Sequence, residues 1–240
     1  MQVFFIRHGQ SENNAIWART QSSEGRVPDP LITEIGKRQM EYTAQFIDFC
    51  LTPDISRAAD PSCVFDIGDI YLYCSLMERS IQSGMIIRER LNVPLRVFMD
   101  IHENGGIYHH DPETHVPVGE SGKPRFYFEK NYPNLILPDD VSEEGWWGRE
   151  YETRDQRKNR AKRVLNTIME RHANTSDSII LVSHGGFYNY FLRAVLAAES
   201  PDHSWFELFN GAVTLFYFEE GLVKIFYNNR FDFIPTELVT

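Results

Sequence analysis

One pattern occurs twice in the chain. Val3-Phe4-Phe5-Ile6-Arg7-His8-Gly9 and Ile179-Ile180-Leu181-Val182-Ser183-His184-Gly185 each run as an apolar stretch, one polar residue, then His-Gly, and lead into a segment with helical character. A short continuous apolar run is the mark of a strand buried on both faces, which means a parallel sheet covered by helices. Both histidines then fall at the carboxyl ends of their strands, where open α/β folds bind ligands. Adjacent strands lie about 4.8 Å apart, so if these two are neighbours the imidazoles sit side by side. A glycine after each His lets the backbone approach a ligand closely. The helix N-termini that follow offer unpaired N–H groups to an anion. Two neutral imidazoles also suit a metal. Arg7, however, is unfavourable beside a metal ligand and favourable beside an anion, and so selects phosphate.

The rest of the chain alternates in the same way. Thr33 caps an expected helix reaching about Cys50, with Ile35, Met40, Phe46, Ile47 and Phe49 near helical spacing. Ile70–Cys74 reads as a strand, Met77–Leu91 as a helix and Leu95–Ile101 as a third strand. Ala161, Val164, Leu165 and Ile168 mark a later helix, Phe187–Ala198 another, and Ala212–Phe218 with Leu222–Tyr227 a terminal hairpin. The expected fold class is α/β, a three-layer sandwich with a mostly parallel central sheet. Residues 104–150 stand apart. They hold six of the 15 glycines and five of the 12 prolines, so they read as an irregular cap inserted in a single domain spanning 1–240.

Charge and composition narrow the function. Lys plus Arg number 24 against 34 Asp plus Glu, a net charge of −10, which argues against a nucleic-acid or polybasic membrane partner. A phosphorylated ligand must therefore be held by a local cluster of cations. Seven of the 24 basic residues lie within 149–163, and that run reads first as a solvated helix face. The three cysteines (Cys50, Cys63 and Cys74) have no CxxC spacing. They give no disulfide framework and suit a reducing, cytoplasmic setting. No apolar stretch approaches the ~20 residues that span a bilayer.

Five blocks, in order, resemble the histidine phosphatase superfamily, the phosphoglycerate mutase-like family. They are Arg7-His8-Gly9-Gln10-Ser11 with Asn14; Asp29-Pro30-Leu31-Ile32-Thr33 with Gly36 and Gln39; Ser75 to Ser83, which carries Arg79; Glu103; and Ser183-His184-Gly185-Gly186. Leu76 stands where the family usually has a proline, and the last ~25 residues are not covered by the resemblance. The resemblance implies that His8 attacks phosphorus and becomes phosphohistidine. Arg7 and Arg79 then grip the phosphoryl oxygens and His184 is a further donor, most useful if protonated. Asn14 and the Gly185 amide complete the pocket, and Glu103 is the proton donor, with Asp100 as the nearby rival. It implies no cofactor and no metal.

Several residues stay outside these blocks. His102, His109, His110 and His115, with Asp111 and Glu113, form a weak metal-site candidate. His110 or Tyr108 alternatively lines the pocket from the cap. Lys123, Arg125 and Arg149 are candidates for a second anionic group, and Trp146-Trp147 for packing the cap onto the core. The leading expectation is a hydrolase of a small phosphorylated metabolite. A phosphoglycerate mutase is the alternative, disfavoured because Asn13 precedes Asn14 and no base follows Glu103 until Lys123. A non-catalytic anion-binding module comes third. A homodimer through the C-terminal hairpin is a further expectation.

Overall fold

The computed structural model describes residues 1–52, 67–198 and 204–240. A seven-stranded sheet carries the fold. Its strands are β1 (Gln2–Arg7), β2 (Ile70–Cys74), β3 (Leu95–Val97), β6 (Leu135–Ile136), β7 (Ser178–Ser183), β8 (Val213–Glu219) and β9 (Leu222–Arg230), in the order β6-β3-β2-β7-β1-β8-β9. The first five in that order are parallel, whereas β8 and β9 are antiparallel to their neighbours. The two strands of the repeated pattern are neighbours in matched register, Gln2 opposite Ser178 through Arg7 opposite Ser183.

Side chains alternate across this sheet because a strand repeats every two residues. Phe4 and Ile6 enter one buried cluster with Leu72, Cys74, Met40 and Ile47. Val3 and Phe5 enter the other with Ile179, Leu181, Phe187 and Phe191. The first cluster packs under α2 (Glu34–Leu51) and α3 (Glu78–Leu91), the second under α5 (Arg154–His172) and α6 (Gly185–Val195). The result is the mixed α/β sandwich expected, of the phosphoglycerate mutase-like type. Thr33 caps α2 by accepting the Gly36 N–H, as anticipated. Ile35 and Phe49, expected on the buried stripe of α2, are exposed.

Three expectations are corrected. The third strand stops at Val97, and Met99–Ile101 is a 3-10 turn whose Ile101 carbonyl accepts from the Ser183 hydroxyl. The α6 helix spans Gly185–Val195, starting directly at the glycine after His184. The 104–150 region, though mostly irregular, has regular elements that the expectation omitted. It contains a small hairpin, β4 (Tyr108–His110) with β5 (Pro117–Gly119), then α4 (Arg125–Asn131) and β6. It also places Phe128, Val141, Trp146 and Trp147 in the main core. Its Gly and Pro residues signal turns but hide these apolar anchors.

Cys74 is a free, buried thiol, but Cys50 is disulfide-bonded, so the reading of no disulfide does not hold there. Cys63 lies outside the described residues. At the sheet edge, β9 leaves Leu222 and Phe226 exposed. No helix among the described residues is long and apolar enough to cross a membrane.

Candidate active site

The paired strands deliver what their register promises. His8 follows β1, His184 follows β7, and the imidazole centroids are 5.1 Å apart. Both rings are buried. His8 Nδ1 is 2.7 Å from the Gly9 carbonyl oxygen, an acceptor, so Nδ1 carries the ring proton and Nε2 keeps its lone pair. Arg79 Nε–H donates to that Nε2 at 3.2 Å. His184 Nε2 is 2.7 Å from Ser75 Oγ. With the Ser75 hydroxyl donating, the ring proton of His184 sits on Nδ1.

Burial, followed by the charges of Arg79 and Arg7, holds the pKa of His8 well below the ordinary histidine range. Burial and then Arg79 do the same to His184. Both rings are therefore neutral near pH 7, which suits His8 as a nucleophile. Burial thus favours the neutral form of His184, whereas the protonated form was the one expected to be most useful there.

Two buried nitrogens beside His8, Arg7 Nε and His184 Nδ1, have no hydrogen-bond partner, and a third, Arg79 Nη1, makes no hydrogen bond but faces the Asp29 carboxylate. Leaving such donors unpaired costs about 1–3 kcal/mol each, more where they are charged. The arginines are otherwise anchored. Arg7 Nη1 donates to the Leu208 carbonyl at 2.5 Å, and Arg79 Nη1 lies 3.6 Å from the Asp29 carboxylate. Burial raises the pKa of Asp29 to about 7 against the opposing pull of Arg79.

Glu103 lines the same cleft, and its carboxylate caps α6. It accepts from Gly186 N at 3.1 Å, Phe187 N at 2.9 Å and Asn104 N at 2.7 Å. The α6 N-terminus is thus occupied in part by the protein's own carboxylate. A side chain at Gly186 would collide with that carboxylate, so this glycine makes room for Glu103. Gly9 serves packing too. A Cβ there would collide with the Gly36 carbonyl at the start of α2. Asp100 is directed elsewhere, pairing with Arg163 at 3.3 Å, and is not among the cleft's lining residues, whereas Glu103 is.

Asn14 is mainly a structural cap. Its Oδ1 accepts from Ser11 N and Ser11 Oγ at the start of α1 (Glu12–Thr20), although the residue also lines the cleft beside Gly185. Lys123, Arg125 and Arg149 are not among the cleft's lining residues. They contact Tyr127, Glu129 and Trp147 respectively. Arg26 and Arg157 take the outer cleft instead. Trp146 and Trp147 are buried and pack the cap against the core, with His102 edge-on to Trp147. His109, His110 and His115 reach the cleft rim, and no His, Cys, Asp or Glu group among the described residues is arranged to hold a metal ion.

Sequence reasoning assigned no role to Ser75, Asp29 or Asn210. Asn210 donates to the His8 carbonyl at 2.9 Å and so fixes the backbone of the proposed nucleophile. A signal existed for Ser75. It follows β2, the other neighbour of β7, at the same end of the sheet. The basic run at 149–163 also misled in part, because Arg160 is fully buried and bonds Glu152 through both carboxylate oxygens at 2.7 Å.

Comparison with known proteins agrees with this geometry. No curated protein sequence matches the chain. Among solved structures it is similar to phosphoserine phosphatase from Entamoeba histolytica in complex with phosphoserine, at 18% identity and a TM-score of 0.59, covering 98% of this chain and 99% of that one. It is also similar to the ecdysone phosphate phosphatase of Bombix mori, at 14% identity and 0.60, covering 95% and 92%. A third likeness is to a putative alpha-ribazole-5'-P phosphatase of Escherichia coli, at 15% identity and 0.56, covering 94% of each chain. These likenesses show the shared fold. The sequence model of the histidine phosphatase superfamily (branch 1) matches residues 3–229, and the chain belongs to that superfamily.

Proposed function

We propose that this protein hydrolyses phosphomonoesters through a phosphohistidine at His8. The carrying observation is the set of buried nitrogens from Arg7, Arg79 and His184 that make no hydrogen bond, of which only that of Arg79 has an ion-pair partner, around a neutral His8 whose Nε2 lone pair is free of a proton. A phosphoryl group has three oxygens to satisfy those donors and a phosphorus for the lone pair. Its arrival also gives Arg79 Nε–H a better acceptor than His8 Nε2, which releases the nucleophile.

In the first step His8 Nε2 attacks phosphorus in line. The P–N bond forms as the ester P–O bond breaks, and Glu103, protonated for this step, gives its proton to the leaving oxygen. In the second step Glu103, now a carboxylate, takes a proton from water. The oxygen attacks phosphorus, the P–N bond breaks, and inorganic phosphate leaves. Charge on the transferring group is stabilised throughout by Arg7, Arg79 and His184. Several structural relatives are named as phosphatases, which supports hydrolysis over isomerisation.

The test is acid-labile phosphate trapped on the protein during turnover of p-nitrophenyl phosphate. We expect one phosphohistidine per chain in the wild type and none in His8→Ala, whose turnover is abolished. Full turnover in His8→Ala, or isomerisation of 3-phosphoglycerate outrunning its hydrolysis, refutes the reading.

A further inference from the structure

The phosphate-binding groups occupy only the floor of a much larger cleft, of about 1200 Å³. Pockets that bury a drug-sized ligand run about 300–1,000 Å³, so a phosphorylated three-carbon acid would leave most of this space wet. What the remaining wall is made of therefore bears on the leaving group.

Its charges cancel. Beyond Arg7, Arg79 and Glu103, the charged lining residues other than histidine are Arg26 and Arg157 on one side of the balance and Glu24 and Glu207 on the other. Both arginines are engaged with aromatic faces, Arg26 over Trp17 at 5.2 Å and Arg157 over Tyr151 at 5.0 Å. Among the described residues the Arg and Glu charges of this outer lining balance, and His109, His110 and His115 are its remaining ionisable groups.

The rest of the wall is mixed, and its aromatic part is Tyr108, Tyr151 and Trp205. Tyr108 stands edge-on to Tyr151 with centroids 4.7 Å apart. Across the lining lie Val27 and Trp205, which are 46% and 58% exposed. An exposed indole on a cleft wall offers a ring face on which an aromatic leaving group can stack. Trp205 is also held in place. The Phe206 backbone N–H donates to Asn189 Oδ1 at 2.8 Å and its carbonyl accepts from Asn189 Nδ2 at 3.0 Å, while Leu208 of the same segment accepts from Arg7. One short segment thus ties an exposed indole to the phosphate-gripping arginine.

We infer that the substrates are phosphate monoesters of large, uncharged, ring-containing alcohols or phenols, with the ring system lying between Trp205 and the Tyr108–Tyr151 pair. This rests on the phosphatase reading for turnover but not for binding, and the experiment separates the two.

Binding of 1-naphthyl phosphate and of phosphoserine is measured by calorimetry on His8→Ala, which cannot turn over, and kcat/KM for both is measured on the wild type. We expect His8→Ala to bind the naphthyl ester at least tenfold more tightly than phosphoserine. We expect Trp205→Ala, in the His8→Ala background, to reduce that ratio about tenfold, the size of one lost aromatic contact with its buried area. Equal or tighter binding of phosphoserine, or a ratio untouched by Trp205→Ala, overturns the inference and leaves the hydrolase reading standing. Naphthyl-selective binding with no turnover of either ester by the wild type would uphold the inference and sink the hydrolase reading.

Discussion

Arg160 is the most consequential side chain outside the cleft, and its removal can be worked through. The guanidinium is buried at the start of α5 and spends its donors on two tasks. Nε and Nη2 hold the two carboxylate oxygens of Glu152 at 2.7 Å each. Nη1 holds the carbonyls of Asp100 and His102 at 2.8 and 2.9 Å, on the backbone that leads into Glu103. Its face also lies 4.5 Å from the Phe187 ring. Arg160→Met strands a carboxylate that is itself buried, and losing one partner of a buried pair costs about 3–5 kcal/mol. In a domain of this size each kcal/mol moves the melting temperature about 2–4 °C, so a fall of about 6–20 °C is expected. Arg160→Met/Glu152→Leu removes the stranded charge and should recover most of that fall. The two carbonyls stay unanchored in the double variant, so its kcat should remain at least tenfold low as Glu103 drifts from the cleft. Thermal melts and p-nitrophenyl phosphate kinetics on both variants decide it. A single variant melting within 2 °C of wild type, or a double variant with full kcat, would show that Arg160 neither closes a buried charge nor positions Glu103.

Two further outcomes follow from the site. Burial depresses the pKa of His8, His102 and His184, so below pH 6.5 the unfolded chain takes up protons that these buried rings refuse. Stability should then fall as pH drops below 6.5, by about 1.4 kcal/mol per pH unit for each such ring. Asp29 works in the opposite sense. Its folded value of about 7 lies above the unfolded one, so its contribution is present at low pH and lost as pH rises through 7. Three rings outnumber one carboxyl, and urea titrations from pH 7.5 to 5 should show net acid destabilisation; stability that rises toward pH 5 would contradict the burial argument. Ser75→Ala should lower kcat about tenfold, less than the 10²–10³ typical of losing a transition-state donor outright, because it frees the tautomer of His184 without deleting the ring. An unchanged kcat would mean that Ser75 does not set that tautomer.

Much of the site was legible because it obeys local rules. The two apolar runs had to be buried strands, and strand ends in a parallel sheet are where side chains converge. His8, His184 and Arg7 follow from those facts. Arg79 and Glu103 came from motif resemblance, since neither has a local signature. The 104–150 region was read in part: its turns and the packing of Trp146-Trp147 were expected, but its short elements and the burial of Phe128 depend on what packs over them. Asn14 combines two readings of one residue, its Oδ1 serving the helix cap while the side chain lines the cleft.

By itself the sequence determined the repeated strand–His–Gly units, and with them the sheet and the end of it at which chemistry occurs, because period and burial are properties of short segments. Only the tertiary structure decided the burial that keeps the two histidines neutral, the placement of Glu103 rather than Asp100 at the cleft, the closeness of Gly186 to Glu103 and the aromatic residues of the cleft wall. Those depend on groups brought together from distant parts of the chain. Ser75 meets His184, Arg160 meets Asp100, and Trp205 shares a cleft with the cap, at sequence separations that no local pattern records.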